Sequence, residues 1–169
     1  HYNKANNIVL VHAINIGKGL GWKLAEVIEE LAKSLTAKQI ISLEGVGSPT
    51  AESGRIFYYA TKNGTTSKLL ESVARPLQEG IIVGVTGALL ARNISTPIMA
   101  LFAEAKSGMP DSKAAAHIIA ALDAYTGLQV DPKPLLKQAQ VFEKKLKGIV
   151  TKGQKAEEVQ EDKRLSYVG

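Results

Sequence analysis

Short apolar runs alternate with amphipathic stretches along most of the chain. Residues 8–14, IVLVHAI, are nearly all apolar and rich in branched side chains, which predicts a strand buried on both faces. From Trp22 to Leu35 the apolar residues recur every three or four positions, which predicts an amphipathic helix. Further strands are predicted at QIISL (39–43), RIFYYA (55–60), IIVGV (81–85) and PIMALFA (97–103).

Helices are predicted between and after these strands. One is capped by Thr65 or Thr66 and ends at Pro76, and a short one follows at ALLARN (88–93). Another runs from about Asp111 to Thr126. Strands that alternate with helices predict an α/β fold, a mostly parallel but mixed sheet with helices on both faces in a three-layer sandwich. No helix separates RIFYYA from the preceding strand, which predicts some antiparallel pairing.

The last helix is predicted to begin at Asp131 and Pro132, because aspartate caps free amides and proline suits a first helical turn. Its apolar residues form one seam, comprising Leu135, Ala139, Phe142, Leu146 and Ile149. Beyond residue 150 this pattern gives way to charged residues. We therefore predict one domain over residues 1–150 and a charged tail over residues 151–169.

Composition narrows the classes of function. The 169 residues are 45% apolar and 22% charged, as in one globular domain. No apolar run is long enough to span a membrane and the start has no signal-peptide pattern, so we expect a cytoplasmic protein without a membrane partner. The absence of cysteine excludes disulfides and thiolate chemistry. The net charge of +5 comes from basic residues interleaved with acids, which argues against a nucleic-acid partner.

Three glycine-containing segments are candidate ligand sites. GKGLGW (17–22) precedes a helix but lacks the spacing of a P-loop or a dinucleotide fingerprint, so a plain turn and an anion site both stay open. Gly45, Gly47 and Ser48 follow a strand, where ligands bind in open α/β sheets. Gly84 lies near the end of another predicted strand, and Gly87 follows that strand. A turn at the sheet edge and close strand-to-helix packing are the structural alternatives for these two groups.

No group of residues forms a catalytic or metal-binding pattern. His12 lies inside a predicted strand, which favours a hydrogen-bonded core histidine. His117 falls nearly opposite the apolar face of its helix and is expected to face solvent or an interface. Asp111 suits an N-cap, and Gly127 suits a left-handed C-cap. Ser48 has no histidine and acid partner. The sequence thus favours a non-enzymatic protein without metal or cofactor.

Three segments in order resemble the PAC2 family, the proteasome assembly chaperone 2 family. They are GVTGALLAR (84–92), PIMALFAEAKSGMPDSKAAAHIIAALDAYTGLQVDPKPLLKQA (97–139) and FEKKL (142–146). The upstream IVLVHAINIG and LAEVIEELAKSLTAKQIISLEGVG are also similar to that family's strand, helix, strand and glycine turn. The resemblance covers about residues 1–150. It implies a proteasome assembly chaperone homologue that acts through homo-oligomerisation and contacts with proteasome α subunits or a related chaperone.

The chain departs from the family pattern at both ends. Relatives start earlier, with a strand, a turn of the type GLPGIG and a helix, so the resemblance implies a domain that is incomplete at its N-terminus. The family's proteasome-binding members end with a hydrophobic residue, tyrosine and one last residue. Here RLSYVG places Tyr167 third from the end, and Ser166 takes the hydrophobic position. Leu165, Tyr167 and Val168 are the candidate partner-binding residues.

A second function is implied by the same resemblance, because the family's fold is similar to that of purine nucleoside phosphorylases. On that alternative the protein is an enzyme or sensor that binds a nucleoside, a nucleotide or phosphate. Its ligand would lie at the glycine segments around Gly45, Gly47, Ser48, Gly84 and Gly87.

Overall fold

The computed structural model describes most of the predicted domain. The described residues are 1–13, 17, 19–47, 54–61, 68–105 and 111–131, with 133–134, 136–137, 140–142, 144–146 and 148–149. The predicted cap at Thr65 or Thr66 and the predicted tail, 151–169, lie outside them.

A four-stranded mixed sheet forms the centre of the fold. Its strands are β3 (Ile40–Gly47), β4 (Ile56–Ala60), β5 (Arg75–Pro76) and β6 (Ile98–Ala105), in the order β3-β6-β4-β5. Strand β6 runs parallel to β3 and antiparallel to β4, and β4 runs parallel to β5. The predicted strands at 39–43, 55–60 and 97–103 are confirmed, as is the mixed character of the sheet.

One face of the sheet packs against two helices, α2 (Lys68–Val73) and α4 (Ser112–Thr126). Met99 and Leu101 of β6 are fully buried there, in contact with a cluster that includes Leu70 and Ile118. The Asp111 carboxylate accepts hydrogen bonds from the amides of residues 113 and 114, both at 3.1 Å, and Gly127 closes the helix at a φ of 67°. Both predicted caps of this helix are confirmed.

The other face packs against α1 (Gly21–Ser34) and α3 (Gly84–Ala91). Ala25 of α1 and Leu89 of α3 enclose Ile98 of β6 in a second apolar cluster. Glu29 of α1 binds Arg92 at the end of α3, with the Arg92 Nη2 2.8 Å from Oε2. Helices therefore cover both faces, which confirms the α/β class.

The predicted N-terminal strand is wrong in extent and in burial. Within residues 8–13, the described part of that run, only Ile8–Val9 forms a strand, β2, which pairs with β1 (Tyr2–Asn3) in an antiparallel hairpin. Leu10 is 60% exposed, and His12 is exposed rather than buried in a core. Residues 8 and 9 pair with the chain start instead of the main sheet, and residues 9–13 are exposed.

Residues 81–85, predicted as a buried strand, form none. Ile81 is 95% exposed, and α3 begins at Gly84, whose φ of 72° turns the chain. The stretch instead crosses from β5, at the sheet edge, to the start of α3. A second correction concerns residues 44–47, predicted as loop, which extend β3 because parallel pairing with β6 satisfies their backbone groups.

The described residues between 133 and 149 are helical and mostly exposed. The Asp131 carboxylate accepts a hydrogen bond from the amide of residue 133 at 3.0 Å, as expected for the predicted cap. Phe142 is 59% exposed and Ile149 is 67% exposed, so these members of the predicted seam have no apolar cover. Among the described residues, no helix combines the length and apolar character needed to span a membrane.

Candidate functional site

A cleft of about 790 Å³ lies where the parallel strands β3 and β6 reach their carboxyl ends. Its floor contains Phe102 of β6 and the Phe57 side chain of β4, which are direct neighbours across the sheet. Val46 of β3 lies beside Glu104 of β6 at one end. Residues 75–82 form the wall. Clefts of this size at this end of a sheet accept small ligands or a partner's side chain.

Glu104 is the most buried charged group of this cleft, at 6% exposure. The Arg55 guanidinium binds it through two hydrogen bonds, with Nε 2.5 Å from Oε2 and Nη2 2.9 Å from Oε1. Paired geometry of this kind neutralises a carboxylate and fixes its orientation. The arrangement suits a structural pair at the cleft end, since the arginine already occupies both carboxylate oxygens.

The chemistry available in the cleft is that of binding. Apart from Glu104, its charged lining groups are Arg75 and Glu79, which differ in sign. No described lining residue is histidine, serine or threonine, so the lining offers no hydroxyl nucleophile and no imidazole base. Groups of three or more histidine, aspartate or glutamate residues that could hold a metal are likewise absent from the described part of the chain.

The four glycines predicted as ligand residues do not line this cleft. Gly45 and Gly47 lie within β3 opposite Ala103 and Ala105 of β6, on the side of the sheet that packs against α4. Gly84 and Gly87 lie in α3, on the other side. Ser48 lies outside the described residues. Gly45 and Gly47 therefore lie on the opposite side of the sheet from Gly84 and Gly87.

The glycines of α3 have a packing role. A Cβ atom on Gly87 would lie 2.3 Å from the Ile82 carbonyl oxygen, and a Cβ on Gly21 would lie 3.2 Å from the Gly84 carbonyl carbon. These close approaches bring the starts of α1 and α3 together. A hydroxyl contact of 2.7 Å between Thr86 and Ser42 fixes α3 on β3. Two of the predicted glycine segments, 17–22 and 84–87, therefore meet.

Sequence reasoning missed the residues that form the cleft. Arg55 and Glu104 are 49 positions apart, and only the sheet brings them together. One signal was available: Glu104 is the single charged residue within the apolar run PIMALFAEA. A charge in a buried strand requires a partner.

Exposed apolar residues are the candidate partner-binding surfaces of the described part of the chain. His117 is exposed, as predicted, and its ring lies against the position where Gly54 lacks a Cβ. Leu165, Tyr167 and Val168 lie outside the described residues. The described part of the chain does expose apolar residues along α1 and along the helical residues between 133 and 149.

Solved structures of archaeal proteins share this fold. One is PbaA of Pyrococcus furiosus, an archaeal homolog of proteasome-assembly chaperone. It is 29% identical and superposes with a TM-score of 0.68 over 85% of this chain and 66% of that chain. A monoclinic form of PbaA gives 28% identity and a TM-score of 0.67, over 89% and 65%.

A third structure is PbaB of the same organism, an archaeal proteasome activator. It is 19% identical with a TM-score of 0.63, over 81% of this chain and 62% of that chain, and this likeness shows the fold. The chain thus spans slightly less than two thirds of the archaeal structures that it matches. A comparison with curated proteins gives no match.

The sequence model of the PAC2 family matches residues 1–150, which include the sheet, all four named helices and the cleft. The same residues carry the three ordered segments that resemble the family. The chain therefore belongs to the PAC2 family.

Proposed function

We propose that this protein is a non-enzymatic proteasome assembly chaperone homologue that acts by binding proteasome α subunits or a related chaperone. The observation that carries the proposal is its similarity to PbaA, with 29% identity and a shared fold over 85% of the chain. We also propose that the protein forms homo-oligomers and lies in the cytoplasm beside the proteasome. The chain would consist of a domain over residues 1–150 and a tail over residues 151–169.

The lining of the cleft supports a binding role. Its one deeply buried acid is held by Arg55, and its apolar floor is suited to a side chain or a small apolar group. Exposed apolar side chains on α1 and on the helical residues between 133 and 149 supply surfaces of the kind that associate.

Native electrophoresis of the full chain mixed with 20S α subunits tests the proposal. The expected result is a complex that contains both proteins. A variant with Leu165, Tyr167 and Val168 replaced by serine tests the tail, and it should bind more weakly if the tail docks in a groove of the partner. The Leu69→Ser variant is the control, because Leu69 is exposed on α2. Separate migration of the wild-type chain and the α subunits would refute the proposal.

The cleft favours a second candidate function, the binding of a nucleoside, a nucleotide or phosphate. Its volume lies within the range of small-molecule sites, and Arg75 offers a cation to an anionic ligand. A thermal-shift series with each ligand class tests it, since a ligand that binds the native state raises the unfolding temperature. Arg75→Gln should abolish the shift. An unchanged unfolding temperature at saturating concentrations of all three classes would reject this function.

A further inference from the structure

Helix α1 has two apolar sides, and the described residues cover one of them. Ala25, at 0% exposure, lies in the interface with α3 and the sheet, and Ala32, at 6% exposure, is buried on the same side of the helix. A second row lies about 120° around the helix from these alanines, at 100° per residue. Its members, named the α1 stripe below, are Leu20, Leu24, Val27, Leu31 and Leu35.

Four of the five residues of the α1 stripe are exposed, and Leu24 is half-buried. Leu20, Val27 and Leu35 are each 50% or 51% exposed, and Leu31 is 37% exposed. The spacing of four, three and four residues from Leu20 to Leu31 is that of a seam between two helices, and Leu35 extends the row toward its inner flank. Leucine and valine continue this row through more than three turns, and no polar residue interrupts it.

The charged residues beside the stripe have a self-complementary order. Lys23 and Glu30 both lie on its outer flank, seven residues apart, while Ile28 lies on the inner flank toward the body of the protein. Within the described part of the chain, neither Lys23 nor Glu30 forms an ion pair. Of the other acids of α1, Glu29 is occupied by Lys33 and Arg92, and the exposed Glu26 lies farther around the helix from the stripe than Glu30 does.

From this order we infer that the α1 stripe binds the α1 stripe of a second copy of this chain, with the two helices antiparallel about a two-fold axis. In that arrangement Leu24 packs beside Val27 of the copy, and Leu20 packs beside Leu31 of the copy. The outer flanks then face each other, so that Lys23 lies opposite the Glu30 position of the copy. The axis generates this ion pair twice.

A parallel arrangement lacks this complementarity. It would place Lys23 near the Ile28 position of the copy and Glu30 near the Leu35 position, so both charges would face apolar side chains. The charges therefore favour the antiparallel orientation, with a second copy of this chain as the partner. The inference deepens the oligomerisation in the proposed function, and it names the surface that forms the contact.

Charge reversal tests the pairing directly. Sedimentation velocity over a series of concentrations should show a monomer–dimer equilibrium for the wild-type chain. Lys23→Glu alone and Glu30→Lys alone should each raise the dissociation constant, on the order of tenfold for two ion pairs turned into repulsions. The double variant with both reversals should return to the wild-type constant. Equal constants for all four proteins would contradict the ion pair.

An apolar variant tests the stripe itself. Val27→Asp should weaken the dimer by about a hundredfold or more, because each copy would bring a carboxylate into the seam. Leu69→Asp is the matched control, since Leu69 is 66% exposed on α2, and it should dimerise like the wild type. Dimer loss on Phe142→Asp instead of Val27→Asp would assign the interface to the helical residues near 142 and overturn the inference. A wild-type chain that stays monomeric throughout would overturn it too.

Orientation can be read from disulfides, because the chain has no cysteine of its own. A mixture of Lys23→Cys and Glu30→Cys proteins under mild oxidation should yield the mixed 23–30 disulfide as the main product, identified by peptide mass spectrometry. The parallel arrangement brings position 23 near position 28 of the copy, so a 23–28 disulfide from a mixture of Lys23→Cys and Ile28→Cys proteins, without the 23–30 product from the first mixture, would refute the geometry.

The same variants separate this inference from the proposed function. Native electrophoresis of Val27→Asp with 20S α subunits reports partner binding, whereas sedimentation reports self-association. Dimers without α-subunit binding would refute the α-subunit binding of the proposed function and leave the α1 pairing standing. Complexes with α subunits from a wild-type chain that does not dimerise would refute the α1 pairing and leave α-subunit binding standing.

Discussion

Replacing Gly87 by alanine should destabilise the protein, although alanine is the better helix former. The new Cβ would lie 2.3 Å from the carbonyl oxygen of Ile82 and 2.9 Å from its carbonyl carbon. Normal contacts between such atoms exceed 3 Å, and backbone atoms cannot rotate away as a side chain can. Overpacking of this kind costs about 1–3 kcal/mol, against a helix-propensity gain of about 1 kcal/mol. Because the new Cβ meets rigid backbone, the upper part of that range applies, about 2–3 kcal/mol, and the expected net loss is about 1–2 kcal/mol.

Urea denaturation followed by circular dichroism measures this loss as a fall in the free energy of unfolding. In thermal denaturation, a net cost of 1–2 kcal/mol corresponds to a fall of about 2–8 °C in the unfolding temperature of a chain of this size. Gly148→Ala is the matched control, because Gly148 lies among the helical residues near the C-terminus and a Cβ there meets no atom within 4 Å. That variant should be as stable as the wild type or more so. If Gly87→Ala were equally stable, the close approach between Ile82 and α3 would be refuted.

Three further substitutions test the core, a helix cap and an ion pair. Leu101→Ala should cost about 3–4 kcal/mol in urea denaturation because Leu101 is fully buried in β6, whereas Leu69→Ala, at an exposed site, should change stability by less than about 0.5 kcal/mol. Asp111→Ala should cost about 1 kcal/mol by removing the N-cap of α4, and Asp111→Asn should retain most of it; equal stability of the two variants would count against the cap. Hydrogen bonds from Lys33 and then Arg92 hold the pKa of the Glu29 carboxyl below its ordinary value of 4.5, so the stability that it contributes is present above that pH and is lost as the pH falls below it. Glu29→Gln should therefore be less stable than the wild type at pH 7 and converge with it in acid, and parallel pH profiles would contradict the ion pair.

The sequence predicts an element well where one local pattern and its tertiary partner agree. Strand β6 was predicted from its continuous apolar run, and it lies at the centre of the sheet, where such a run is buried on both sides. Helix α4 was predicted with both ends, because Asp111 and Gly127 encode their caps locally. The α/β class followed from the order of such elements.

Two apolar runs misled the prediction for a common physical reason. Residues 8–14 and 81–85 have the composition of buried strands, but a strand also needs a partner for its backbone, and composition does not supply one. Residues 8 and 9 pair with the chain start. Residues 81 and 82 form part of the cleft wall, and a helix begins at Gly84. The opposite error occurred at residues 44–47, where β6, far along the chain, supplies the pairing.

The candidate site was predictable in position but not in composition. The carboxyl ends of β3 and β6 follow from the α/β class, and the cleft lies there. Its lining depends on side chains far apart in the sequence, such as the Arg55 and Glu104 pair. The α1 stripe was also beyond prediction from the sequence. Periodicity predicted an amphipathic helix, but it could not show which of the apolar residues of that helix the sheet would cover.

Association with proteasome α subunits is the central claim, and sedimentation velocity of the fluorescently labelled full chain with unlabelled 20S α subunits tests it most directly. We predict that the labelled chain shifts to a faster-sedimenting species in proportion to the α subunits added, and that excess unlabelled chain reverses the shift. A labelled chain that sediments at its own rate at every concentration of α subunits would contradict the claim.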